Sequence, residues 1–329
     1  MRERALTICV LFLAGGALAL GAPPELGIPI ECEIGKTCFI QNYVDRDSSD
    51  GASDYACGTE TYDGHRGTDI RLVDTAAARD GVAVVAAAPG VVVATRDGVA
   101  DRLVKTLEDR QAVAGKECGN GVVVDHGEAW VTQYCHMLNR SVRVQKGAAV
   151  AAGAKLGEVG YSGDVQFPHL HLSVRHNGVN IDPFIGVQGG DGCGVGDRPL
   201  WTADAISLLS YQPTRLLRSG LSDRAVELDD LETGAIGGFV ADRMSPALVS
   251  WGWAINLRAG DEVTAALAGP GGTLAHNRVI VERDKAQYMM FAGKRRPDAG
   301  WPPGPYTAEF SVVRGGEPVI NAATPFDVR

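Results

Sequence analysis

Short apolar runs cut by Gly and Pro confine most of this chain to strands and tight turns. Val82 to Ala88 gives way to Pro89 and Gly90, and Val91 to Thr95 follows. Gly121 to His126, Trp130 to His136, Val142 to Gln145 and Leu170 to Arg175 repeat the pattern. Runs this short, rich in β-branched residues and bounded by turn formers, predict strands, and helical periodicity is weak. The expectation is a mainly β protein with a first domain of small antiparallel sheets. Six glycines between Gly186 and Gly196, then Asp197, Arg198 and Pro199, mark the best domain boundary. Beyond it, Val249 to Leu257, Asp261 to Leu267, Gln287 to Ala292 and Tyr306 to Val313 are separated by Gly-Pro, Gly-Gly and Pro-Pro turns. That spacing predicts an immunoglobulin-like sandwich. A chain of 329 residues is long enough for both.

The formal net charge of -9, with no basic run, argues against a nucleic-acid partner. Arg2 and Arg4 precede an apolar stretch from Ala5 to Ala22, diluted by glycines and ending in small residues. This predicts a cleaved signal peptide over residues 1–22, export to the periplasm or beyond, and no stable membrane insertion afterwards. Removing it with Cys9 leaves six cysteines, an even set suited to disulfides in an oxidising compartment. Val122 to Val124, a turn region from Asp125 to Glu128, and the run after it predict a hairpin. With its turn centred between His126 and Gly127, Cys118 falls opposite Cys135, and a bridge between them is expected. Cys193 is positioned to tether the Gly-rich loop.

Four of the seven histidines, together with Asp69, fall into an ordered pattern: His65-x3-Asp69, then Tyr134-Cys135-His136-Met137, then His169-Leu170-His171. Each piece alone is common; the combination is specific. Fully extended, His65 and Asp69 would stand about 13 Å apart, so sharing a metal requires a bend, which Gly64 and Gly67 permit. His169 and His171, two apart on a strand, project from one face, so that one can ligate while the other stands beside the metal. Two imidazoles and a carboxylate with an open fourth position suit a catalytic zinc rather than a closed structural one. His126 and His176 read as structural or exposed, and a thiol role for Cys135 is disfavoured because neighbours on a strand face opposite ways.

From about Gly64 to Asp182 these motifs resemble the lysostaphin-like, or LytM-type, zinc endopeptidases of peptidoglycan. The resemblance implies one zinc per chain held by His65, Asp69 and His171. It also implies His136 and His169 as the catalytic pair, Asn120 near the substrate groove, and peptidoglycan as the partner. Met137, Cys135 and the segment Gly160 to Phe167 depart from the family pattern, which bears on substrate preference. The implied organisation is signal peptide 1–22, amino-terminal extension 23–62, zinc endopeptidase 63–198 and carboxy-terminal sandwich 199–329. The alternative is a module of the same fold that binds peptidoglycan or activates another hydrolase without cleaving. Because all five chemical residues precede Gly186, a fragment from Pro23 to Asp197 is expected to suffice for chemistry.

Overall fold

The computed structural model describes residues 22–187, 189 and 192–329, so nearly all of the leader lies outside the described residues. The first half contains β1 (Cys38–Asn42), β2 (Thr68–Leu72), β3 (Ala83–Val85), β4 (Gly90–Arg96), β5 (Asn120–Gly127), β6 (Trp130–Met137), β7 (Ala149–Val150), β8 (Lys155–Glu158), β9 (His169–His176) and β10 (Val179–Ile181). Short helices α1 (Thr75–Asp80) and α2 (Leu107–Ala112) interrupt them. Eight strands form one antiparallel sheet in the order β1-β2-β9-β6-β5-β4-β7, with β10 paired to β9, while β3 and β8 form a separate pair. One large sheet therefore replaces the several small ones expected. Val142 to Gln145 is irregular, although Arg143 N–H still donates to Leu156 O at 2.8 Å.

Strand β2, next to the edge strand, is buried along its whole length, and Ile70, Leu72, Leu170, Leu172, Val122 and Tyr134 are closed to solvent beneath the sheet. Residues 23–62 are not a detached extension. They supply the edge strand β1, and Leu26, Ile30, Tyr43 and Tyr55 belong to the same core. That core also takes in Leu200, Trp201 and Leu209, so the packing of the first half runs past the expected boundary at residue 198. A Cys57–Cys193 disulfide ties the Gly-rich loop to the amino-terminal segment, and Cys32–Cys38 closes a short loop.

The second half adds α3 (Ala203–Leu208), β11 (Arg215–Ser222), α4 (Leu228–Thr233), β12 (Ala247–Leu257), β13 (Glu262–Gly269), β14 (Gly272–Ile280), β15 (Lys285–Arg295), β16 (Gly304–Arg314) and β17 (Glu317–Val328). The sheets β11-β12-β15 and β14-β13-β16-β17 share a core of Ala254, Leu257 and Met290 against Val263, Phe310 and Val312. This is sheet-on-sheet packing. A further buried cluster crosses between the halves, joining Phe39 and Val73 to Leu217, Leu231, Trp251 and Trp253. Burial of that many large apolar side chains joins the halves as firmly as a domain core does.

The β5–β6 hairpin corrects one expectation. Val122 pairs with Tyr134 and Gly127 with Trp130, so the turn lies at Glu128 and Ala129, both at positive φ, two residues later than predicted. Cys118 and Cys135 are nevertheless joined. Cys118 lies in the turn before β5, and the register shift between Asn120 and Val122 brings it alongside.

Candidate metal centre

Strand pairing builds the centre. Asp69 on β2 is the register partner of His171 on β9, and Arg71 that of His169. The alternation His169-Leu170-His171-Leu172 sends both leucines into the core and both imidazoles to the opposite face. His171 Nδ1 then lies 2.8 Å from Asp69 Oδ1. Ahead of β2 the chain bends after Gly64, at φ +74°, and returns His65 Nε2 to within 3.1 Å of Asp69 Oδ2 and 3.3 Å of His171 Nδ1. The Tyr43 carbonyl can only accept, so the 2.6 Å contact assigns a proton to His65 Nδ1 and leaves Nε2 as the nitrogen that faces Asp69 and could ligate a metal. Asn42 Nδ2 donates to Asp69 Oδ2 at 2.9 Å and fixes the carboxylate.

Gly67 does more than permit the bend. A Cβ there would come 2.5 Å from His171 Nε2, so only glycine lets the loop pass the ring.

His136, the penultimate residue of β6, adopts a left-handed conformation at φ +62°, a strain of about 1–2 kcal/mol for a residue with a side chain. Surrounding bonds hold it there: its N–H donates to Cys118 O at 2.8 Å, and its carbonyl accepts from Gly160 N–H at 3.0 Å. This backbone breaks strand alternation, so Cys135 and His136 both line the cleft, contrary to the opposite-face expectation. The disulfide, not orientation, removes Cys135 as a thiol. His136 Nδ1 donates to Ser162 O at 2.9 Å and His169 Nδ1 to Phe167 O at 2.9 Å, leaving each Nε2 free of these carbonyls. The two rings lie 4.6 Å apart, and His169 Nε2 is 3.5 Å from Asp69 Oδ1.

Burial opposes ionisation of Asp69, but the facing imidazoles of His65 and His169 outweigh it and hold the carboxyl well below its usual range. Burial, reinforced by His169 and His171, holds His136 well below the ordinary histidine value, and burial lowers His169 as well. Both are neutral bases at neutral pH.

The donor set fits zinc. The donor atoms of His65, Asp69 and His171 lie within 4.8 Å of one another. Tetrahedral ligands about 2.0–2.1 Å from one zinc are separated by roughly 3.3 Å, close to the spacing found here. His136, His169 and His171 form a second, overlapping group that lacks a carboxylate.

Asn120 does not take the place expected of it. It is fully buried, donates to Val99 O and Met137 O, and accepts from Val99 N–H, so it braces the scaffold instead of reaching the groove. His126 bonds Pro89 O and Thr132 Oγ1, and His176 stacks on Trp130; both are structural. The cleft above the centre, about 920 Å³, is also lined by Gln41, Phe167 and Gln287. Phe167 closes the segment from Gly160 already tied to substrate preference, whereas nothing in the local pattern of Gln41 or Gln287 distinguishes them.

Residues 63–183 match the family model for peptidase family M23. The cell division protein DipM of Caulobacter vibrioides is 40% identical over 58 residues, 18% of this chain and 9% of DipM. The peptidoglycan DD-endopeptidase ShyA of Vibrio cholerae is 42% identical over 64 residues, 19% of this chain and 14% of ShyA. The matches thus span only a small part of these relatives. Among solved structures, the catalytic domain of the antimicrobial peptidase lysostaphin from Staphylococcus simulans aligns with 43% of this chain and 89% of its own, at 21% identity and a TM-score of 0.26. Over residues 63–183, about a third of its length, the chain is therefore similar to peptidase family M23.

Proposed function

We propose that this protein is an exported zinc metalloendopeptidase that hydrolyses peptide cross-links or stem peptides of bacterial peptidoglycan. One observation carries the reading: two imidazoles and a buried carboxylate, brought together from a bend and two adjacent strands, present their donor atoms to one point. His65, Asp69 and His171 would hold the metal. When bound, zinc supplies Lewis-acid polarisation of a carbonyl and acidifies water to a pKa of about 7.

The remaining work falls to side chains of this protein. With Nδ1 committed to Ser162 O, neutral His136 offers Nε2 to accept or return a proton. His169, fixed in the same way by Phe167 O, stands beside Asp69 with its Nε2 lone pair free; once that nitrogen has taken up a proton it can donate to charge developing on the substrate. Their ring positions are set before substrate arrives, because backbone carbonyls choose the tautomers.

Export rests on the predicted leader and on three disulfides, which persist in oxidising compartments. The two-sheet packing of β11–β17 supports an immunoglobulin-like module in the second half.

The test is digestion of purified peptidoglycan by the zinc-loaded protein, with products identified by mass spectrometry. New peptide amino termini that disappear with a chelator are expected. Unchanged muropeptides from folded, zinc-loaded protein would overturn the assignment.

A further inference from the structure

The cleft is not walled by the metal-bearing half alone. Ala286 and Gln287, on β15 of the second half, line it together with His136, His169 and His171. Gln41 Nε2 donates to Ala286 O at 3.3 Å, and Asn256 Nδ2 returns a bond to Gln41 O at 2.9 Å. Gln287 Nε2 donates to Glu232 Oε1 at 3.1 Å, while the other oxygen of Glu232 pairs with Lys105 Nζ at 2.9 Å. Lys105 lies two residues before α2, whose Arg110 faces Asp164 at 3.3 Å on the cleft rim.

Beneath this wall, Arg71 is fully buried between the Phe167 ring at 4.5 Å and the Trp253 ring at 5.1 Å, and it donates to Gln41 Oε1 at 2.5 Å. Phe167 in turn lies against His169, ring to ring at 4.7 Å. Trp253 belongs to the second half, so a packed series of side chains joins that half to the wall and to a catalytic imidazole. Such stacking and the apolar cluster beside it fix the wall in place instead of leaving it on a hinge.

We infer that the second half completes the substrate cleft, and that Ala286 and Gln287 are specificity-determining residues that limit which peptide chains reach His136 and His169. This rests on the endopeptidase reading above. The ligand class is an extended peptide: Gln287 lines the cleft with its Oε1 buried and without a hydrogen-bond partner, an acceptor suited to a peptide main-chain N–H. A fixed wall also bars bulk on its side, so a narrow, unbranched approach is favoured.

Ala286 is exposed, so Ala286→Trp should fold normally while filling the cleft. The full chain would be assayed on a soluble cross-linked muropeptide, with zinc content measured in parallel and Ile280→Trp, exposed on β14 outside the cleft lining, as control. The expected result is a loss of at least tenfold in kcat/KM, carried mainly by KM, with zinc unchanged and the control equal to wild type. A second variant, Ala286→Cys, is alkylated with a bulky maleimide after folding and should lose activity only upon labelling. If wild type cleaves and both Ala286 variants match it, the cleft-wall inference falls while the endopeptidase reading stands. If zinc-loaded wild type neither cleaves nor binds the muropeptide, both fall.

Discussion

Asp69 and His171 are 102 residues apart in sequence, yet they are direct register partners on β2 and β9 and their side chains meet at 2.8 Å. The candidate metal centre is therefore a property of strand pairing as much as of residue identity. Asp69→Asn or His171→Ala should lose zinc and activity together. His136→Ala or His169→Ala should retain zinc and lose about 10²–10⁴ in kcat, the usual range for general acid–base groups. Metal analysis alongside kinetics decides it, and zinc loss in His169→Ala with retention in His171→Ala would reverse the roles.

Gly67→Ala tests the packing around the ligands without replacing any of them. The new Cβ would press on His171 Nε2, so zinc affinity should fall by about 10–100-fold, the range typical when a ligand's support is disturbed. Competition against a fluorescent chelator measures it; unaltered affinity would mean that the loop yields.

The five residues of the candidate centre could be picked out because each sits in a short motif whose spacing has few other uses, and the fold brings them together. Strand positions such as Leu170 to Arg175 were legible from alternation. What could not be read was non-local. The hairpin register was misplaced because Glu128 and Ala129 form the turn at positive φ without glycine, while the visible glycine, Gly127, ends β5. Asn120 matched a motif, but the carbonyls that consume its amide come from Val99 and Met137. Arg71 looked like an ordinary strand residue, and its two aromatic partners lie far away in the chain. β14 and β17 escaped notice because exposed residues break their apolar pattern.

The first half alone should not suffice, against the expectation from the position of its chemistry. Ending the chain at Asp197 removes Leu200, Trp201 and Leu209 from the core and exposes Phe39 and Val73. Large buried side chains are each worth about 2–5 kcal/mol, and a domain has only about 5–15 kcal/mol in hand. Fragment 23–197 should be unfolded or aggregated at 25 °C by circular dichroism, and a cooperative thermal transition would refute this.

Stability should fall as pH rises from about 5 to 8. Burial raises Glu60 to about 8, despite Arg258 at 3.4 Å, and raises Asp182 to about 7. Between the unfolded and folded values the native state keeps a proton that the unfolded chain releases, so the contribution is full below about 4.5 and is lost as pH rises through the folded value. Glu60→Gln should therefore gain about 1–3 kcal/mol over wild type at pH 8 and little at pH 5. Denaturant melts at both values check the sign.

The most direct measurement is anomalous diffraction at the zinc edge from crystals of the full chain grown with zinc. One peak per chain within bonding distance of His65 Nε2, Asp69 and His171 Nδ1, with His136 and His169 outside the coordination sphere, is the predicted result. A peak bound by His136 and His169 without Asp69, or none at full zinc loading, would contradict it.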